Sequence, residues 1–81
     1  MKAAVVRDLA ERHGLSALEQ AAEAIAEREV DELGVEGEDL GEKLTHLMLA
    51  ARIRRRIDAG EDAKTAFRAE MGGVRDLLKN G

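Results

Sequence analysis

The stretch DLGEKLTHLMLAARIRRRIDA, residues 39–59, decides how the rest of the chain must fold. Its apolar residues Leu40, Leu44, Leu47, Met48, Leu49, Ala50, Ala51, Ile53 and Ile57 recur at helical spacing but point in too many directions for one stripe. A helix that is apolar almost all round in its middle has to be covered on several sides. The covering elements must themselves be helices. The chain is 44% hydrophobic and 37% charged, with no proline, one phenylalanine and neither tryptophan nor tyrosine. Ala, Leu, Glu and Arg head the helix scale, whereas strands favour β-branched and aromatic residues. The expectation is an all-α protein, a compact bundle of about four helices in a single domain over residues 1–81.

Outward from that centre, glycines fall where helix ends are expected. A first helix over about residues 3–13 places Val5, Val6 and Leu9 on one face, with Gly14 as a left-handed C-cap. The second begins at SALE, residues 16–19, where Ser16 can cap and Glu19 can reach back to it. Its stripe of Leu15, Leu18, Ala22, Ile25, Ala26, Val30 and Leu33 carries it to Gly34. Gly60 closes the third helix, and Asp62 caps a fourth over about residues 63–79 that presents Phe67, Met71, Val74, Leu77 and Leu78. Gly72 and Gly73 interrupt this last pattern at about 1 kcal/mol each relative to alanine, which predicts a kink or a close crossing there.

A domain of this size buries only about 60% of the surface its unfolded chain exposes, so small folds commonly need disulfides, metals or oligomerisation. The absence of cysteine removes disulfides and thiolate metal sites. Self-association is therefore expected, a homodimer first, through the broad apolar surface of the third helix with Leu47 and Met48 as contacts. A further protein partner is left unidentified. No apolar run reaches the roughly 18 residues a membrane span needs. The N-terminal MKAAVVRDLAERHG turns charged too early for a secretory signal, so the expected location is cytoplasmic.

The formal net charge is −4, but its distribution says more. Residues 19–42 hold ten Asp or Glu and one Arg, whereas residues 43–56 hold Lys43 and four Arg with no acid. RIRRR, Arg52 to Arg56, suggests phosphate or nucleic-acid binding by guanidinium forks. The acidic total and the lack of aromatics for stacking bases argue against it. The favoured reading pairs Arg52, Arg55 and Arg56 with the self-repelling row Glu19, Glu23 and Glu27 of the second helix, or with acids of a neighbouring subunit.

GEDLGEKLTH, residues 37–46, gathers the carboxylates Glu38, Asp39 and Glu42 with the imidazole of His46. Glu42 and His46, four residues apart, share a helix face and could hold one metal ion, but such sites take three or four ligands. His13 or a second subunit would have to complete the set. The favoured reading is a helix start: Gly37 and Gly41 let the chain turn, Glu38 or Asp39 caps, and Glu42 favours the positive end of the dipole. His46 then pairs with Glu42 or fills a polar gap, and His13 sits at the end of the first helix. No phosphate loop, catalytic triad or di-iron Glu-x-x-His occurs. Neither an enzyme nor a resident metal or cofactor is expected.

Three pieces of the block 36–71, namely EGED at 36–39, GEKLTH at 41–46 and KTAFR at 64–68, resemble the centre of a family of short, uncharacterised, all-helical bacterial proteins. It is a domain-of-unknown-function family met mainly in Bacteroidetes and relatives. The resemblance implies a helical fold and no catalytic residue. The expected function is thus a non-enzymatic interaction module acting as a homo-oligomer. The alternatives are a nucleic-acid or phosphate-binding accessory protein using Arg52 to Arg56, and a metal-binding or thiol-redox accessory protein.

Overall fold

A computed structural model describes residues 2–80, with side chains through residue 72. In chain order the helices are α1 (Ala3–Arg12), α2 (Leu15–Arg28), α3 (Leu40–Asp58) and α4 (Ala63–Asn80). No strand occurs among the described residues, so the all-α expectation holds. Helix α3 is the hub and packs against α1, α2 and α4, while α1 touches α2 and α4 lightly and, among the described residues, α2 does not meet α4. The core joins Val6 and Leu9 of α1, Leu18, Ala21 and Ile25 of α2, and Ala66 of α4 to Leu47, Leu49, Ala50, Ala51 and Ile53 of α3. The sole phenylalanine adds an α1–α4 contact, with the Arg7 guanidinium 5.9 Å from the centre of the Phe67 ring. With extents of 31 × 31 × 18 Å the molecule is a slab about two helix layers deep. The chain itself therefore covers α3 on three sides, and burying that helix does not by itself call for a second copy.

Two helix boundaries differ from the sequence reading. Helix α1 ends at Arg12, followed by His13 in extended backbone. Gly14 is also extended (φ −76°, ψ 165°) and serves as the N-cap of α2 rather than as a left-handed C-cap. Since α2 starts at Leu15, Ser16 lies inside its first turn, makes no capping bond, and accepts at 3.4 Å from the Gln20 side chain. A glycine N-cap is only a few tenths of a kcal/mol weaker than serine, so the shift costs little, and it lets Leu15, packed against the core, open the helix.

The larger difference is at the far end of α2, which stops at Arg28, six residues short of Gly34. Glu29 takes a left-handed conformation (φ 56°, ψ 36°), and Val30 N–H bonds back to Ala24 C=O at 3.2 Å in a Schellman-type end. Beyond it the Asp31 carboxylate accepts from Val35 N–H at 3.0 Å, offering the backbone a partner that helix extension would forgo. Val30 is consequently 47% exposed instead of lying on a buried stripe, and Val35 enters the core from the connection.

The other ends follow the sequence reading. Asp39 caps α3, its Oδ1 accepting from Glu42 N–H at 2.8 Å. Gly60 closes the helix at φ 109°, and Asp62 Oδ2 accepts from Lys64 and Thr65 N–H at the start of α4. Helix α4 runs through both glycines, and at Gly72 a Cβ would meet nothing within 4 Å, so no close crossing occurs at that glycine among the described residues. The side chains of Val74, Leu77 and Leu78, read as part of its apolar face, lie outside the described residues.

Candidate interaction face on the central helix

The start of α3 and the imidazole below it form a structural joint. The Glu42 carboxylate reaches back to accept from Glu38 N–H at 2.9 Å, one residue before the Asp39 cap to which Glu42 N–H donates. Gly37 permits the turn by close approach: a Cβ there would lie 2.9 Å from Lys43 Cγ and 3.3 Å from Lys43 N. One turn deeper, His46 is wholly buried. Its Nε2 accepts from Lys2 N–H at 3.0 Å and its Nδ1 faces Glu36 C=O at 2.9 Å. A backbone N–H can only donate, so Nδ1 carries the ring hydrogen and donates to Glu36. His46 therefore bonds backbone on both sides, not the Glu42 carboxylate, and ties the first residue before α1 and the 30–39 connection to α3. The Lys2 and Glu36 partners, 44 and 10 residues away, carry no sequence signal.

Beside this joint, Lys43 Nζ meets Asp31 at 3.1 Å. Burial alone would raise the Asp31 pKa, but the Val35 N–H and the Lys43 ammonium outweigh it and hold the carboxyl below the usual range. The Glu38 N–H likewise holds the Glu42 carboxyl below its usual range. Groups with depressed folded pKa values add stability above the unfolded pKa and lose it as pH falls through the folded value. The urea midpoint is thus expected to be flat near neutrality and to fall between about pH 5 and pH 2, with a shallower fall in Asp31→Asn. An unchanged acid profile in that variant would count against the Asp31 assignment.

Each arginine of the cluster lies against a carboxylate. Arg55 reaches Glu19 of α2 at 2.7 Å, as the charge pattern suggested. Arg52 and Arg56 instead converge on Glu70 of α4 at 2.7 and 2.9 Å, and Arg56 also reaches Glu61. The Glu70 carboxylate, only 9% exposed beneath these guanidinium groups, holds Arg56 charged and raises its pKa. Arg54 pairs with Asp58 and donates to Ala10 C=O at 3.2 Å, filling a carbonyl left open at the end of α1. The expected pairing with α2 thus holds for Arg55 and is corrected for Arg52 and Arg56. Glu70, eighteen and fourteen residues downstream, is one acid among many in the sequence. Only the placement of α4 singles it out.

The uncovered side of α3 carries Thr45, Met48, Arg52 and Arg55. The ion pairs Glu19–Arg55 and Asp31–Lys43 set α2 antiparallel beside it. Between the two helices runs a groove of about 500 Å³ whose floor is Ala22, Met48 and Ala51 and whose rim is Glu19, Arg52 and Arg55. Met48 is 56% exposed, while Leu47 next to it has no exposed surface. Of the two apolar contacts expected for association, Met48 is on the surface and Leu47 belongs to the core, because α1 and α2 already cover its direction. Glu23 lies on the outer side of α2 and, among the described residues, meets no cation.

Fold and face together define a small all-α protein built on one central helix, with an apolar groove set in charged borders. The chain belongs to a family of unknown function, DUF6952, whose model matches residues 1–78. No curated protein and no solved structure matches it. Among the described residues no helix is long and apolar enough to cross a membrane.

Proposed function

We propose that the protein is a non-catalytic helical interaction module that works as a homodimer, with the α2–α3 groove as its contact. The observation that carries the reading is Met48: a large flexible apolar side chain held 56% exposed at mid-helix, beside Ala22 and Ala51 and between charged borders. Small residues let a facing helix approach, and methionine adapts to what it meets. A charged rim around an apolar centre is the ordinary layout of a protein contact. The nucleic-acid alternative draws less support, since each arginine of Arg52 to Arg56 already lies against a carboxylate. The metal alternative would need His46, whose two ring nitrogens are committed to backbone groups. The thiol-redox alternative would have to act through a partner's thiol, because the chain has no cysteine.

Sedimentation at micromolar concentration is expected to give twice the 8.8 kDa chain mass. Met48→Glu places a carboxylate in the apolar centre and is expected to return a helical monomer, with a rise in Kd of at least about a hundredfold from burying an unpaired charge. A monomeric native protein, or a dimer indifferent to Met48→Glu, would overturn the reading.

A further inference from the structure

A second concavity, sharing no lining residue with the groove, lies where α2 ends early. It is a pocket of about 400 Å³ between one face of α1 and residues 33–36 of the connection. Val5, Asp8, Leu9 and Arg12 recur at i, i+3, i+4 and i+7 and so form that face of α1. The opposite wall is the irregular segment that replaces the last turns expected of α2. The chain enters it through Glu29, a glutamate in the left-handed conformation that glycine normally takes. This wall is held in place before any guest arrives. Asp31 accepts from Val35 N–H and meets Lys43, and the enclosed His46 ring donates to Glu36 C=O. Tied to α3 in this way, the segment needs little ordering on binding, and that is a condition for affinity.

The lining sorts into two parts. Val5, Leu9, Leu33 and Val35 are wholly or partly buried and supply its apolar surface. With them stand ionic groups of both signs, each with bonding capacity left over. Arg12 gives Nη1 to Asp8 at 3.3 Å and keeps Nε and Nη2, while Asp8 keeps Oδ1. Glu36 takes Lys2 Nζ on Oε1 and keeps Oε2. The half-buried His13 ring meets no partner among the described residues. A guest with only negative charge would face two carboxylates, and one with only positive charge would face Arg12; like charges brought together are unfavourable. A guest carrying both signs on an apolar body meets neither penalty. From this we infer that the pocket binds a small zwitterion of the class of free apolar amino acids. The side chain lies on the apolar lining, the ammonium at Asp8 and Glu36, and the carboxylate at Arg12 and His13. The volume is near the lower end of the range for small-molecule sites, about 300–1,000 Å³, as suits a guest of that size.

The probes are leucine and two analogues that each lack one of its charges, isocaproate without the ammonium and isoamylamine without the carboxylate. Each is titrated into isotope-labelled protein and followed through the amide resonances. Leucine is expected to shift the amides of residues 8–13 and 33–36 saturably, with a Kd below about 1 mM. Each analogue should bind at least about tenfold more weakly, the loss of one charge-assisted hydrogen bond. The Asp8 and Arg12 side chains are more than half exposed, so Asp8→Asn and Arg12→Gln should keep full helicity while weakening leucine by about the same factor. No saturable shift with leucine, valine or phenylalanine up to about 10 mM overturns the inference. An analogue that binds as tightly as leucine overturns it too, as does a shift centred on the α2–α3 groove. Because pocket and groove share no residue, none of these results bears on the homodimer, which sedimentation decides separately.

Discussion

Replacing His46 by alanine is expected to lower the unfolding free energy by about 3 kcal/mol and the Tm by about 12–24 °C. The side chain has no exposed surface, so its removal leaves a void lined by helices that relax only partly. It also strips Lys2 N–H and Glu36 C=O of their shared partner. Lys2 and Glu36 are exposed residues while the ring is wholly enclosed, so the void carries the larger part. His46→Leu restores volume without the bonds, and His46→Gln restores a donor and an acceptor at imperfect geometry. Urea titrations should rank the stabilities native, Gln, Leu, Ala. Hydrogen exchange should speed first in the 30–39 connection and at the start of α1, the two segments the ring holds to α3. A loss under about 1 kcal/mol for alanine, or faster exchange spread evenly over the chain, would show that the ring is not a joint.

Periodicity and punctuation made much of this architecture readable. Four helices, the Asp39 and Asp62 caps and the glycine end at Gly60 all rest on contacts between residues two to four apart, which sequence displays directly. Three-sided burial of α3 was legible because the width of its apolar arc reports how many neighbours it needs. The early stop of α2 was hidden. Leu33 continues the helical spacing, yet Asp31 finds Val35 N–H and Lys43, a tertiary arrangement that competes with the helix.

At the candidate face the same division holds. The segregation of acids and bases announced pairing, but which acid meets which arginine depends on how α4 crosses α3, and Glu70 has no local mark. His46 was readable as a helix residue near Glu42. Its commitment to Lys2 and Glu36 depends on two distant backbones arriving at one ring. Glu42 in turn is occupied locally, by the Glu38 N–H of the helix start.

Leu47 and Met48 are neighbours in sequence, and their alanine variants are expected to behave as opposites. Consecutive helix residues diverge by about 100°, and that turn carries α3 from the direction covered by α1 and α2 to the one direction left open. Leu47 is fully enclosed, so Leu47→Ala should cost about 3–5 kcal/mol, the range for a leucine whose cavity cannot collapse. Met48 is 56% exposed, so Met48→Ala should shift the stability of the isolated protomer by no more than about 0.5 kcal/mol. Concentration separates protomer from dimer: association makes the native Tm rise with protein concentration, whereas loss of a contact at the groove should flatten that rise. Leu47→Ala should lower the Tm at every concentration alike, and Met48→Ala should leave it unchanged when dilute while removing its concentration dependence. A large loss in dilute Met48→Ala would place that side chain in the protomer's core and remove the basis for reading the groove as a contact. A concentration dependence that survives Met48→Ala would move the dimer contact to another surface.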